Sequence, residues 1–171
     1  MQKTEMKIIN ELSRNRNVFK EHLSGLTPDI YLWKPDPEKW CILQVVCHLY
    51  DEEREDFRAR MKHILDTPEK SLPPIDPQNW VTLKKYIEKD YNEVLNKFLF
   101  ERELSVKWLM DLSDAGWENT YHDPKRGPIT ARMLFCNWLA HDYIHIRQIT
   151  KLKYLYFKQL TGEDLNYAGN W

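Results

Sequence analysis

Two proline-rich breaks do most to constrain what this 171-residue chain can fold into. They are "TPDIYLWKPDPEKW" at residues 27–40 and "DTPEKSLPPIDPQNW" at residues 66–80. Neither can continue a helix, because each proline removes a backbone N–H and crowds the preceding turn. The segments around them carry apolar residues at helical spacing. Residues 2–25 place Ile8, Ile9, Leu12, Val18, Phe19 and Leu23 on one stripe, and Gly25 followed by Pro28 marks its end. Residues 41–65 do the same with Ile42, Val45, Val46, Leu49, Phe57, Met61 and Ile64. The middle of that segment, "DEEREDFRAR", reads as a solvated charged face.

Residues 81–112 read as one long helix, with Leu83, Tyr86, Ile87, Val94, Phe98, Leu104, Trp108 and Leu109 recurring at three and four. It would span on the order of 45 Å. The turn-rich stretch "SDAGWENTYHDPKRGP" follows, with room for a short extended excursion. Thr130 then suits the N-cap of a fourth helix reaching about Tyr156. Tyr31, Trp33 and Trp40 in the first break predict that this loop packs onto the body. With no strand alternation and no internal repeat, the pattern predicts an all-α protein, a four-helix bundle formed as a single domain over residues 1–171. The two long connections free it from simple up-down-up-down order.

Composition narrows the function classes. Lys+Arg is 25 and Asp+Glu is 26, a net charge of −1, so nothing favours a nucleic-acid partner. Uncharged stretches fall short of the roughly 18 apolar residues of a membrane span, and "MQKTEMKIINELSRNR" is charged throughout, unlike a signal peptide. Cys41, Cys47 and Cys136 are odd in number and lack CxxC spacing. The expectation is a reduced, cytoplasmic protein with no membrane partner.

The histidines are the chemical lead. In "NWLAHDYIHIRQI" (residues 137–149), His141 and His145 stand four apart on the stripe of Leu134, Trp138, Gln148 and Leu152 that must face the bundle interior. Stacked interior imidazoles satisfy each other poorly, whereas a divalent cation takes both lone pairs. Two ring-shaped core fillers remain the alternative. His48, in "CILQVVCHLYDEE", is either a half-buried histidine bonded to a neighbour or a third ligand, if it faces the same cavity. Three histidine ligands would leave a coordination position open. His22 and His63 lie near helix C-termini, where the dipole favours positive charge, and read as surface residues. His122 lies in a polar loop.

Together "PDPEKWCILQVVCHLYDEE", the long middle helix and "NWLAHDYIHIRQI" resemble the DinB/YfiT-like superfamily of metal-dependent enzymes over about residues 5–158. The resemblance implies an up-down-down-up bundle with a divalent metal, zinc or nickel, held by His48, His141 and His145. It also implies a homodimer and a small-molecule substrate. Relatives include thiol-dependent transferases and isomerases, with a low-molecular-weight thiol as co-substrate, and others described as hydrolases. One departure is Cys41, where the family's second helix opens with Ser or Thr. That predicts loss of a hydroxyl cap worth roughly 0.5–2 kcal/mol. Cys47 points about 100° away from His48 and reads as core.

A thiol transferase is the leading expectation, with a metal-dependent hydrolase or a non-catalytic metal-binding bundle as alternatives. "HDYIH" approximates the H-E-x-x-H of zinc peptidases, but Asp142 is one methylene short of the required Glu. Helical spacing offers Gln148, Glu52, Asp142 and Asp51 as supports for the histidines, with Glu52 and Asp142 otherwise solvated helix charges.

Overall fold

The computed structural model describes residues 3–112 and 115–169. Helix α1 (Lys3–Leu23) buries Ile9, Leu12, Phe19 and Leu23. Gly25, at φ 73°, supplies the left-handed residue that turns the chain out of it. The first proline-rich connection contains a short helix, α2 (Pro28–Tyr31). It is pinned to the body as expected: the Tyr31 ring stacks on Tyr91 at 4.2 Å, and Tyr31, Trp33 and Trp40 pack against the core.

The second bundle rod is α3 (Ile42–Asp51), a π-helical turn (Glu52–Arg58) and α4 (Ala59–Asp66) in succession. At its start the Gln44 side chain accepts from the Cys41 N–H at 3.1 Å, so the reciprocal half of a capping box survives the Cys. After α5 (Pro77–Leu83) and a 3-10 turn (Tyr86–Glu88) comes α6 (Tyr91–Asp111). An antiparallel hairpin of β1 (Thr120–Asp123) and β2 (Gly127–Thr130) then leads into α7 (Ala131–Thr161). Thr130 caps α7 by accepting from the Met133 N–H at 2.9 Å, and Gly162 closes it at φ 67°.

The single helix expected over residues 81–112 is corrected. Lys85 sits in the left-handed region at φ 51° and breaks it. Asp90 starts α6 afresh by accepting from the Glu93 N–H at 2.7 Å. The break has a packing cause. It turns Tyr86 inward, where its hydroxyl donates to Asp51 at 2.6 Å, and leaves Leu83 and Ile87 exposed. The signal was present in "DYNE", an Asp followed three residues later by Glu.

Contacts between the long helices set their directions. Leu23 meets Tyr91 and Arg16 meets Leu99, so α1 and α6 are antiparallel. Glu5 meets Arg132 and Asn15 meets Asp142, so α1 and α7 are parallel. His48 meets His145 and Phe57 meets Trp138, so the second rod runs antiparallel to α7. The bundle is therefore up-down-down-up. Its apolar interior forms two clusters, one around Phe19, Val45, Leu49, Phe98 and Ile149, the other around Leu12, Met61, Phe135 and Trp138. Between them in helix position lies a layer of buried polar residues: Asn15, His48, Glu52, Glu53, Arg102, Asp142 and His145.

Candidate metal centre

The site begins with the local geometry of α7. A spacing of four puts His141 and His145 on one face, and their Nε2 atoms lie 3.0 Å apart. The antiparallel rod brings His48 opposite them, with its Nε2 3.3 Å from that of His141. One ring nitrogen from each of the three residues falls within 4.8 Å of the others. His48 and His145 are buried and His141 is half-buried.

Whether these residues fit a metal can be tested on their hydrogen bonding. The Gln148 Oε1 lies 2.7 Å from His145 Nδ1. An amide oxygen only accepts, so the proton of neutral His145 sits on Nδ1 and its Nε2 presents a lone pair. His141 Nε2 is the middle atom of the N···N chain. If it carries a proton, both neighbours must present lone pairs to the same hydrogen. If it does not, it faces the His145 lone pair with its own. One of the two contacts therefore goes unsatisfied in neutral imidazoles, and a cation satisfies both. The spacing agrees: two nitrogens each about 2.0–2.1 Å from a tetrahedral ion lie roughly 3.3 Å apart. The residues fit a divalent cation with an open position.

Electrostatics keep the ligand form. Burial pushes the His48 pKa down to about 3, and the charge of His145 adds to this. His141 is lowered to about 2, first by burial and then by His145, His48 and Arg102. Burial lowers His145 too, opposed by its bond to Gln148. All three are neutral near pH 7, the state in which imidazole binds metal. Glu52 moves the other way, with burial and then Asp56 raising its carboxyl to about 9. Its Oε1 lies 3.8 Å from His48 Nδ1, which has no hydrogen bond.

These shifts set a pH dependence for the metal-free protein. Below the ordinary histidine pKa of 6.5 the unfolded chain binds protons that the folded one refuses, so stability falls as pH drops. Glu52 is opposite, since the fold holds its proton between its ordinary 4.5 and about 9 and loses that contribution as pH rises. With the three site histidines and the burial-lowered His22 on one side, and Glu52 and the burial-raised Asp56 on the other, the urea midpoint of metal-free protein should fall between about pH 7 and about pH 5. A midpoint that stays level or rises on acidification contradicts neutral buried imidazoles.

Aromatic rings wall the centre. Trp40 meets the His48 ring at 5.0 Å, and Phe57 meets the His141 ring at 5.0 Å while stacking on Trp138. Among the expected supports, Gln148 bonds His145 and Glu52 faces His48. Asp51 points away, to Tyr86 and Lys84. Asp142 is fully buried and bonded to Arg102 and Asn15, so it is neither a solvated charge nor free to act as a peptidase base. The solvated face expected for "DEEREDFRAR" is likewise corrected, since Asp51, Glu52, Glu53 and Arg60 are buried. The cause is the π-helical turn, whose i→i+5 bonding widens the helix and turns the successive residues Glu52 and Glu53 both inward. His22 and His63 are half-buried and His122 is exposed, and none of them joins the cluster.

Sequence reasoning missed Glu53, Arg102 and Asn15. Arg102 donates two bonds to each of Glu53 and Asp142, at 2.6–2.9 Å, and a fifth to the Leu12 carbonyl at 3.4 Å. Its place was legible, four residues after Phe98 and seven before Leu109 on the inward stripe of α6.

A four-helix bundle of up-down-down-up order with three convergent imidazoles in a polar middle layer defines a class of protein whose facing helices could hold a cation. The chain belongs to the DinB superfamily, whose sequence profile matches residues 11–149. Its fold is similar to that of YfiT from Bacillus subtilis, with a TM-score of 0.78 and 22% identity over 96% of this chain and 91% of that one. That protein is described as a probable metal-dependent hydrolase with an unusual four-helix bundle topology. No curated protein matches the sequence. Among the described residues no helix is long and apolar enough to cross a membrane.

Proposed function

We propose that this protein is a metal-dependent enzyme in which His48, His141 and His145 hold a divalent cation, zinc or nickel, and that it transfers a low-molecular-weight thiol to a small electrophile. The observation that carries this reading is the meeting of three neutral imidazole nitrogens within 4.8 Å. Bound there, the cation supplies Lewis acidity and lowers the pKa of a thiol or water at its open position.

The chain's own groups support such chemistry. Three neutral ligands leave the full double charge uncompensated, whereas each carboxylate ligand would remove one unit. Gln148 holds the proton of His145 on Nδ1 and so aims Nε2 inward. Glu52 keeps a proton at neutral pH beside His48. Trp40 and Phe57 exclude water on two sides, and His141, the most exposed of the three, marks the side open to substrate.

A hydrolytic reading is favoured by the similarity to YfiT and uses the same open position. The two are separated by assaying metal-loaded protein on thiol-reactive electrophiles with bacillithiol or glutathione, and on esters and amides without thiol. Thiol-dependent turnover that His145→Ala abolishes is the expected result. Turnover indifferent to every thiol would leave the hydrolase. A homodimer and a cytoplasmic location complete the proposal.

A further inference from the structure

Of the three imidazoles, His145 is held at Nδ1 by Gln148 at 2.7 Å, while His48 Nδ1 makes no hydrogen bond and has Glu52 Oε1 3.8 Å away. His141 hydrogen-bonds among the described residues through Nε2 alone, so ring packing contributes to its angle. That ring lies against Phe57, with centroids 5.0 Å apart and planes at 58°. Phe57 in turn stacks on Trp138 at 5.7 Å and 9°. The Trp138 indole N–H donates to Glu53 Oε2 at 3.0 Å. Glu53 is itself clamped by Arg102, through Nε at 2.9 Å and Nη2 at 2.8 Å.

We propose that Glu53 is a positioning residue for the metal centre, aiming the His141 ring through Trp138 and Phe57. The inference rests on the three-histidine metal reading above and adds to it a buried lever reaching into the middle of the bundle.

Charge argues that Glu53 does more than fill space. Arg102 is already paired through two bonds with Asp142, an ion pair of zero net charge. A second carboxylate leaves the buried network at −1, which costs free energy in an apolar interior. A glutamine would remove that charge, but its single oxygen could not accept from both Arg102 Nε and Nη2, and its NH2 would face one of these donors. The excess charge buys short, strong bonds on both oxygens, and with them a fixed indole. The π-helical turn serves the same end: it lets Glu52 face His48 while its neighbour Glu53 reaches Trp138. One distortion of one helix thereby addresses two of the three ligands.

The test uses the full-length protein and Co2+ as a spectroscopic probe. Trp138→Phe keeps an aromatic ring beside Phe57 but deletes the N–H that Glu53 holds, and leaves every Arg102 bond in place. Glu53→Gln removes the charge. Trp108→Phe, whose ring lines a groove with Ala59, Lys62 and Leu104 and has no part in the chain from Glu53 to His141, is the control. Each is titrated with Co2+ against a competing chelator, its visible bands are recorded, and its metal-free urea midpoint is measured. Trp138→Phe and Glu53→Gln should bind Co2+ about tenfold or more weakly, with shifted bands, and Trp108→Phe should match wild type. If Glu53→Gln fails to fold, Trp138→Phe decides alone.

A purely structural role would lower the urea midpoint of Trp138→Phe while leaving its Co2+ affinity and bands at wild-type values, and that result overturns the proposal. Wild-type protein that binds no Co2+ would overturn both this inference and the metal reading. Wild-type binding with an unchanged Trp138→Phe overturns only this one.

Discussion

Arg102→Ala should cost about 3–5 kcal/mol, the range for breaking a buried ion pair by removing one partner. The Arg102 side chain is 1% exposed, as is that of Glu53, and that of Asp142 is 0%. All five guanidinium N–H groups are used, four on carboxylate oxygens and one on the Leu12 carbonyl. Without Arg102, two buried carboxylates keep only the Trp138 and Asn15 N–H groups, and water cannot replace the rest without opening the core. A domain is typically stable by about 5–15 kcal/mol, so the loss takes a large share of the total. Urea unfolding at neutral pH measures it. The triple variant Arg102→Met, Glu53→Gln, Asp142→Asn removes the charges together and should regain much of the loss, because no ion is then left unpaired. A single variant within about 1 kcal/mol of wild type would mean that the network carries no net energy.

Metal removal is the second large effect. A cation that binds only the folded chain stabilises it by about 4.1 kcal/mol when present at a thousandfold above its Kd. For a domain of this size each kcal/mol moves Tm by roughly 2–4 °C. Chelation should then lower Tm by roughly 8–16 °C. His145→Ala should start near the lower value and ignore the chelator, because two imidazoles cannot match the three-ligand site. Elemental analysis of protein purified without a His tag should find about one cation per chain in wild type and far less in the variant. A Tm indifferent to chelator, with no bound metal, would leave three histidines that merely fill space. These two experiments probe one layer from opposite sides. Arg102 reports what the polar layer contributes to the fold, and His145 reports what it contributes to binding.

Much of this layer could be read locally, and the misses share a cause. Thr130 as a cap, the inward pair His141 and His145, and the end of α1 at Gly25 all follow from contacts within a few residues. Cys47 proved to be core, with its thiol raised to about 12 by burial and then Asp51. The errors arose where a distant partner overrode a local pattern. "DEEREDFRAR" has the composition of a solvated face, yet Arg102, 49 residues beyond Glu53, draws Glu53 inward. The stripe through Leu83, Tyr86 and Ile87 has helical spacing, yet the bond from Tyr86 to Asp51 favours a broken backbone. Asp142 suited a solvated charge until α1 and α6 supplied Asn15 and Arg102.

The amino-acid order alone determined the helical class, the number of long rods, and the pair of imidazoles one turn apart. Such features depend on backbone periodicity, which acts over three or four residues. It could nominate His48 but not aim it. Only the assembled bundle decided that His48 meets partners 93 and 97 positions away, that a widened turn sends two adjacent glutamates to different targets, and that an arginine joins them at the centre. The physical reason is that a helix rotates its side chains by about 100° per residue. One added residue in a turn therefore changes which face is inside, and only packing against the neighbouring rods selects the outcome.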